Sequence, residues 1–131
     1  MRVSLNSALI PFYHAHIYYD ADMRHIASAL RDAFVDLTKV EFSSDEYAFG
    51  KTFADLINVG RMHDGPVGPH TKPMFRIELH SSVFKLIVNH LMLNHGDLSV
   101  LIHPETSDSF KDHTFCTLWL GEKVPIDLTK L

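Results

Sequence analysis

The chain has 131 residues, 46% of them hydrophobic and 21% charged, which is material for one globular domain, residues 1–131, and too little for two independent cores. The formal net charge is only −4 and the basic residues are scattered, so the electrostatic footprint of a nucleic-acid binder is missing. No run approaches the length of a membrane span, and the one cysteine, Cys116, excludes an internal disulfide.

Taken in chain order, Phe12-Tyr13-His14-Ala15-His16-Ile17-Tyr18-Tyr19 is rich in aromatic and β-branched residues that alternate in two sets, which predicts a first strand with two unlike faces. Asp20 is a candidate N-cap for a helix to about Thr38, because Ile26, Ala29, Leu30, Ala33, Phe34 and Leu37 recur at helical spacing. Val40 to Phe53 mixes serine, aspartate, glycine and aromatics and reads as irregular, with some extended structure. Ala54 to His63 carries Leu56-Ile57-Asn58-Val59 and ends in the turn residues Asp64-Gly65-Pro66, which predicts a second strand. The loop Gly65 to Pro73 then leads to a third strand, Met74 to His80, so that the two form a hairpin. Ser81 or Ser82 is placed to cap a second helix, with Phe84, Ile87, Val88, Leu91 and Met92 on one face and His95-Gly96 as its stop. Leu98 to His103 reads as a fourth strand closed by Pro104. The tail with Phe115, Leu118, Trp119 and Leu120 is expected to cover a sheet edge or run into a neighbouring subunit, and Cys116 within it reads as a packed, inert thiol.

This order, β-α-β-β-α-β, predicts an α+β ferredoxin-like sandwich: a four-stranded antiparallel sheet with helices on one face, save that the first and third strands are expected side by side and parallel. Met1 to Pro11 lacks the apolar core of a signal peptide, which with the lone cysteine predicts a soluble cytoplasmic protein with no membrane partner. A chain of this size buries roughly two-thirds of the surface its unfolded form exposes, so a metal would be there for function and not for folding.

Histidine is the composition's outlier, at ten residues. Strand alternation puts His14, His16 and Tyr18 on one face and the more apolar Tyr13, Ala15, Ile17 and Tyr19 on the other, which should meet the helices. His14 and His16 are then about 7 Å apart on the uncovered face, and the parity of His63 and His103 suits the same face. In the expected topology His14, His63, His70 and His103 gather at one edge of the sheet with His16 one pair further in, an arrangement suited to a metal or an acid-base centre. His25, His80, His90 and His95 read as surface or hydrogen-bonded residues, and Glu78 with Arg76 as a solvated ion pair.

Three stretches carry a resemblance: Tyr13-His14-Ala15-His16-Ile17-Tyr18-Tyr19-Asp20, Gly60-Arg61-Met62-His63-Asp64-Gly65-Pro66-Val67-Gly68-Pro69-His70, and Leu98-Ser99-Val100-Leu101-Ile102-His103-Pro104-Glu105-Thr106. With Asp112-His113 and Trp119-Leu120-Gly121-Glu122, the chain resembles the fungal-type DOPA 4,5-dioxygenase family and its bacterial relatives over nearly its whole length. Thr71 and Ser107 depart from a proline and a glycine of the family pattern, which bears on loop shape and substrate fit. The resemblance implies a ferredoxin-like fold and extradiol ring opening of a DOPA-like or other aromatic diol by O2. The implied cofactor is a histidine-bound metal, Fe(II) first and Zn second. It maps the family's histidines onto His14, His16, His63, His70, His103 and His113. Because these motifs offer histidines more readily than acids, a three-histidine site of His16, His70 and His103 is expected in place of two histidines and a carboxylate. His14, His63 and His113 are then left as the catalytic acid-base groups, and Arg61 as the partner of a substrate carboxylate.

Two other readings compete with this one. A zinc site could support hydrolysis or isomerisation through a metal-bound water, or the chain could be a binding module whose uncovered sheet face is a subunit interface. That face in either case favours a homodimer.

Overall fold

The computed structural model describes residues 10–40 and 52–131, so most of the irregular stretch expected from Val40 to Phe53 lies outside the described residues. The elements are β1 (Phe12–Tyr18), α1 (Arg24–Leu37), β2 (Ile57–Val59), β3 (Met74–His80), α2 (Phe84–Asn94), β4 (Ser99–Pro104), the single turn α3 (Ser109–Asp112) and β5 (Leu118–Leu120). They build one five-stranded sheet in the order β2-β3-β1-β4-β5, with each neighbouring pair antiparallel.

The α+β class is as expected, with two corrections to the sheet. It has five strands and not four, because the tail pairs along β4 with Val100 opposite Leu120, Leu101 opposite Trp119 and Ile102 opposite Leu118. This covers an edge that would otherwise present unpaired backbone groups. The turn after it needs glycine: Gly121 has φ +73°, and a Cβ there would lie 2.9 Å from the Leu98 carbonyl oxygen. Second, β1 and β3 run antiparallel, with Phe12 opposite His80 and Tyr18 opposite Met74. The α1 crossover returns β2 in the direction of β1, and the reversal between β2 and β3 then inverts β3.

Alternation divides the sheet cleanly. Ala15, Ile17, Tyr19, Phe75, Ile77, Leu79, Val100 and Ile102 form one core with Ala27, Leu30 and Phe34 of α1 and Ile87, Val88 and Leu91 of α2, so both helices cover the same face. The helix starts differ from expectation. Asp20 makes no side-chain cap and instead pairs with Lys72 at 2.8 Å, and the cap before α2 is His80, whose Nδ1 accepts the Ser82 N–H. Gly96, at φ +56°, closes α2 as expected. The predicted second strand shrinks to three residues because the chain leaves the ladder at Gly60, whose N–H still bonds the Arg76 carbonyl at 2.8 Å. Cys116 is exposed, as is Phe115 at 79%, so the thiol is not packed as the sequence suggested. Among the described residues no helix is long and apolar enough to cross a membrane.

Candidate metal centre

The face turned away from the helices carries His14, His16 and Tyr18 of β1, Met74, Arg76 and Glu78 of β3, and Leu101 and His103 of β4. Cross-strand register sets His14 between Glu78 and His103, and His16 between Arg76 and Leu101. Side chains directly opposite sit with Cβ atoms about 5 Å apart, so these are touching neighbours. One end of this face is apolar, with Tyr18, Met74, Leu101 and Val124 buried together beside Trp119, Val67 and Ile126.

The antiparallel β1–β3 pairing overturns the expected gathering of histidines at one sheet edge. The start of β1 meets the end of β3, so the loop carrying His63 and His70 leaves from the opposite end of the sheet to His14 and His103. His70 joins the cluster because its loop lies back across the face. His70 makes backbone bridges to Val67 and Ile126, Asp127 donates its N–H to the Pro69 carbonyl at 2.8 Å, and Thr71 Oγ1 donates to the Pro125 carbonyl at 2.6 Å. At its other end the loop is tied by Tyr19, whose hydroxyl donates to Asp64 at 2.8 Å, and by Arg24, whose Nε donates to the same carboxylate at 2.7 Å.

The outcome is a packed group of imidazoles around His16, whose ring centroid is 4.0 Å from that of His70, 5.1 Å from that of His103 and 6.3 Å from that of His113. For His103, His16 and His113 the hydrogen-bond partners fix which nitrogens carry protons. His103 Nδ1 faces the Pro104 carbonyl at 2.8 Å and must donate to it, which leaves Nε2 as a bare acceptor. His16 Nε2 stands 3.0 Å from that acceptor and is the donor of the pair. The remaining nitrogen of His16, Nδ1, is then a buried lone pair with no partner in the protein. His113 Nδ1 donates to the Ser109 carbonyl at 2.8 Å, leaving its Nε2 bare, and His70 Nδ1 is 2.7 Å from the Tyr18 hydroxyl. A nitrogen held from outside while the other stays bare is the usual condition of a metal-bound histidine.

Burial reinforces this. It pushes His16 far below the ordinary histidine range, with the neighbouring imidazoles adding to the effect, and it takes His70 and His103 each down to about 4. All three are neutral at pH 7, as ligation requires. His63 is also lowered, by burial first and by Arg61 second.

Two sets of nitrogens lie within 4.8 Å of one another among the described residues: His14, His16 and His103, and His16, His70 and His113. The trio expected from sequence, His16, His70 and His103, draws from both. His14 differs from the others in that both nitrogens face carboxylates, Glu78 at 3.0 Å and Glu105 at 3.2 Å. Glu78 therefore serves His14 and not Arg76. Asp112, also buried, accepts from the Thr106 N–H and hydroxyl and so pins the turn between His103 and His113.

Two adjoining clefts open on the cluster, of about 350 Å³ and 270 Å³, and share His16, Pro69, His70 and Arg76. His63 lines the larger, while His14 and His113 line the smaller. Arg61 lines neither, and its guanidinium donates to the adjacent Met62 carbonyl at 3.4 Å. His25 is exposed, and His80, His90 and His95 bond locally to Ser82, Asn94 and Leu98. Sequence reasoning missed Arg76, Tyr18, Glu105 and Asp112 as members of the site. Tyr18 and Arg76 had a usable signal in strand parity, whereas Glu105 and Asp112 depend on loop shape.

Residues 13–130 match the model of the Dopa 4,5-dioxygenase family. The chain is 30% identical to a DOPA 4,5-dioxygenase of Amanita muscaria over 122 residues, 91% of this chain but 49% of the fungal one. It is 28% identical to an uncharacterized 21.2 kDa protein of Botryotinia fuckeliana, over 85% of this chain and 69% of that one. The chain thus spans about half the length of the first of these relatives. Its fold is similar to the crystal structure of a candidate dioxygenase from Nostoc punctiforme PCC 73102, with a TM-score of 0.78 and 31% identity over 96% of this chain and 95% of that one.

Proposed function

Since the chain belongs to the Dopa 4,5-dioxygenase family, we propose that it is a metal-dependent dioxygenase that opens the ring of a catechol, and that its fold is a ferredoxin-like sandwich extended by β5. The observation that carries the metal is the orphaned Nδ1 of His16, a neutral lone pair buried among imidazoles whose other nitrogens are held from outside. His16, His70 and His113 are the ligands this pattern favours, with Tyr18, Ser109 and, through His103, Pro104 as their outer supports. His14 stays outside this set, because both of its nitrogens already face carboxylates whereas His16 Nδ1 has no partner.

Iron(II) held there would supply a Lewis-acidic, redox-active centre at which a catechol and O2 can meet. The protein's own part is to bind, orient and move protons. The clefts accept a single ring beside His16 and His70, with Pro69 as a wall. His14 is placed to take a proton from a substrate hydroxyl, since the side chains of Glu78 and Glu105 are 40% and 49% exposed and either can swing off its nitrogen. His63, held neutral across the larger cleft, is a second base.

The test is anaerobic loading with iron(II), followed by air with L-DOPA, caffeate or protocatechuate. A metal-dependent visible product is expected from at least one of them. Colourless mixtures with all three, despite confirmed loading, would move the reading to zinc hydrolysis or to a binding module. For the ligand set, His113→Ala should abolish loading and His14→Ala should retain it; the reverse result would transfer the metal to His14, His16 and His103.

A further inference from the structure

Arg76 occupies the middle of the histidine face, and no acidic side chain among the described residues pairs with it. It is the cross-strand neighbour of His16, it is exposed, and it lines both clefts. Among the described residues, each acidic side chain near the site is engaged elsewhere: Glu78 and Glu105 with His14, Asp112 with Thr106, and Asp64 with Arg24 and Tyr19. No hydrogen bond or ion pair of the Arg76 side chain is found among the described residues. Gly60, the backbone neighbour that bonds the Arg76 carbonyl, also lines the larger cleft and brings no side chain to it. Lys130 adds a second cation to the lining of the smaller cleft. A guanidinium presents five donors in a fixed fork that matches a carboxylate.

We infer that Arg76 is the specificity-determining anchor for an anionic group, so that the ligand of this site is an aromatic molecule carrying a carboxylate on a short arm. The diol in that ligand rests on the proposed function, but the anion anchor does not. It differs from the sequence reading, which gave this role to Arg61.

The experiment uses the full chain loaded with zinc, which binds without turnover, and measures calorimetric affinities for 3,4-dihydroxyphenylacetate, 4-methylcatechol and phenylacetate. The acid-bearing diol should bind about tenfold or more tighter than 4-methylcatechol, from the worth of charge-assisted hydrogen bonds. Arg76→Met should remove that preference, Arg76→Lys should restore part of it, and Arg61→Met should leave it intact. Arg76-dependent binding of phenylacetate, with neither diol showing any benefit from its hydroxyls, would keep the anchor and sink the catechol reading. A preference that survives in Arg76→Met, one lost in Arg61→Met, or no binding of any of the three acids and diols would overturn the anchor.

Discussion

On the helix side of the sheet, Ala15, Ile17, Phe75, Ile77 and Val100 are fully buried with no side-chain polar atom to satisfy. One residue along the same strands, His14, His16 and His103 are almost as deeply buried, yet each ring needs a partner for its nitrogens. Hydrophobic transfer holds the first face, while the second is a polar network in which one member, His16 Nδ1, has been left unsatisfied. Such a group costs stability unless something outside the protein completes it. The two faces therefore separate the work of folding from the work of binding, although they share a backbone.

That separation can be broken experimentally. His16→Ala should leave a folded chain, seen by circular dichroism, that takes up no stoichiometric metal. Phe75→Ala, on the other face of the neighbouring strand, should cost about 3–5 kcal/mol in denaturant unfolding, while the folded fraction loads metal normally. Loss of loading in both variants would mean that the faces are not independent.

Acid should act through the histidine face. His70 and His103 fall to about 4 in the folded chain against about 6.5 when unfolded. The unfolded chain thus binds more protons below about pH 6.5, and stability present above that pH is lost as the pH falls towards 4. Between pH 7 and 5 the loss is on the order of 2 kcal/mol for each histidine in the metal-free protein, measurable as a falling melting temperature. His103→Ala should remove part of that slope and weaken metal binding by about 10–100-fold, the usual worth of an outer partner. Complete loss of loading in this variant, as the sequence alone suggested, would restore His103 to the ligand set. The smallest effect is expected from Tyr18→Phe, which removes one hydrogen bond to His70 and should cost about 1 kcal/mol of metal affinity.

Much of the site was legible because strand alternation is a hard rule. From the order of side chains in Phe12–Tyr18, His14 and His16 had to share a face and Ala15 and Ile17 the other, and they do. The sequence motifs also picked out all five histidines that line the two clefts. What could not be read was how the strands run relative to one another. Assigning β1 and β3 as parallel put His63 and His70 at the wrong end of the sheet, and no local pattern in Gly60 to Pro73 shows that this loop folds back over the face. That path depends on distant anchors, Tyr19, Arg24 and Pro125. The tail was similarly opaque: three residues, Leu118–Leu120, are too short to declare themselves a strand until β4 offers an edge. Arg76 was misjudged because Glu78, two residues on along the same face, looked like its partner, and only the tertiary fold shows that carboxylate turned to His14.

The added strand has an optical consequence. Trp119 is the chain's only tryptophan, and β5 stacks its ring on Tyr18 with centroids 6.0 Å apart. Tyr18 in turn holds His70. The protein's red-edge ultraviolet emission therefore arises from one fluorophore separated from a proposed ligand by a single tyrosine, so arrival of a paramagnetic ion or an absorbing diol would register as quenching in the unlabelled chain.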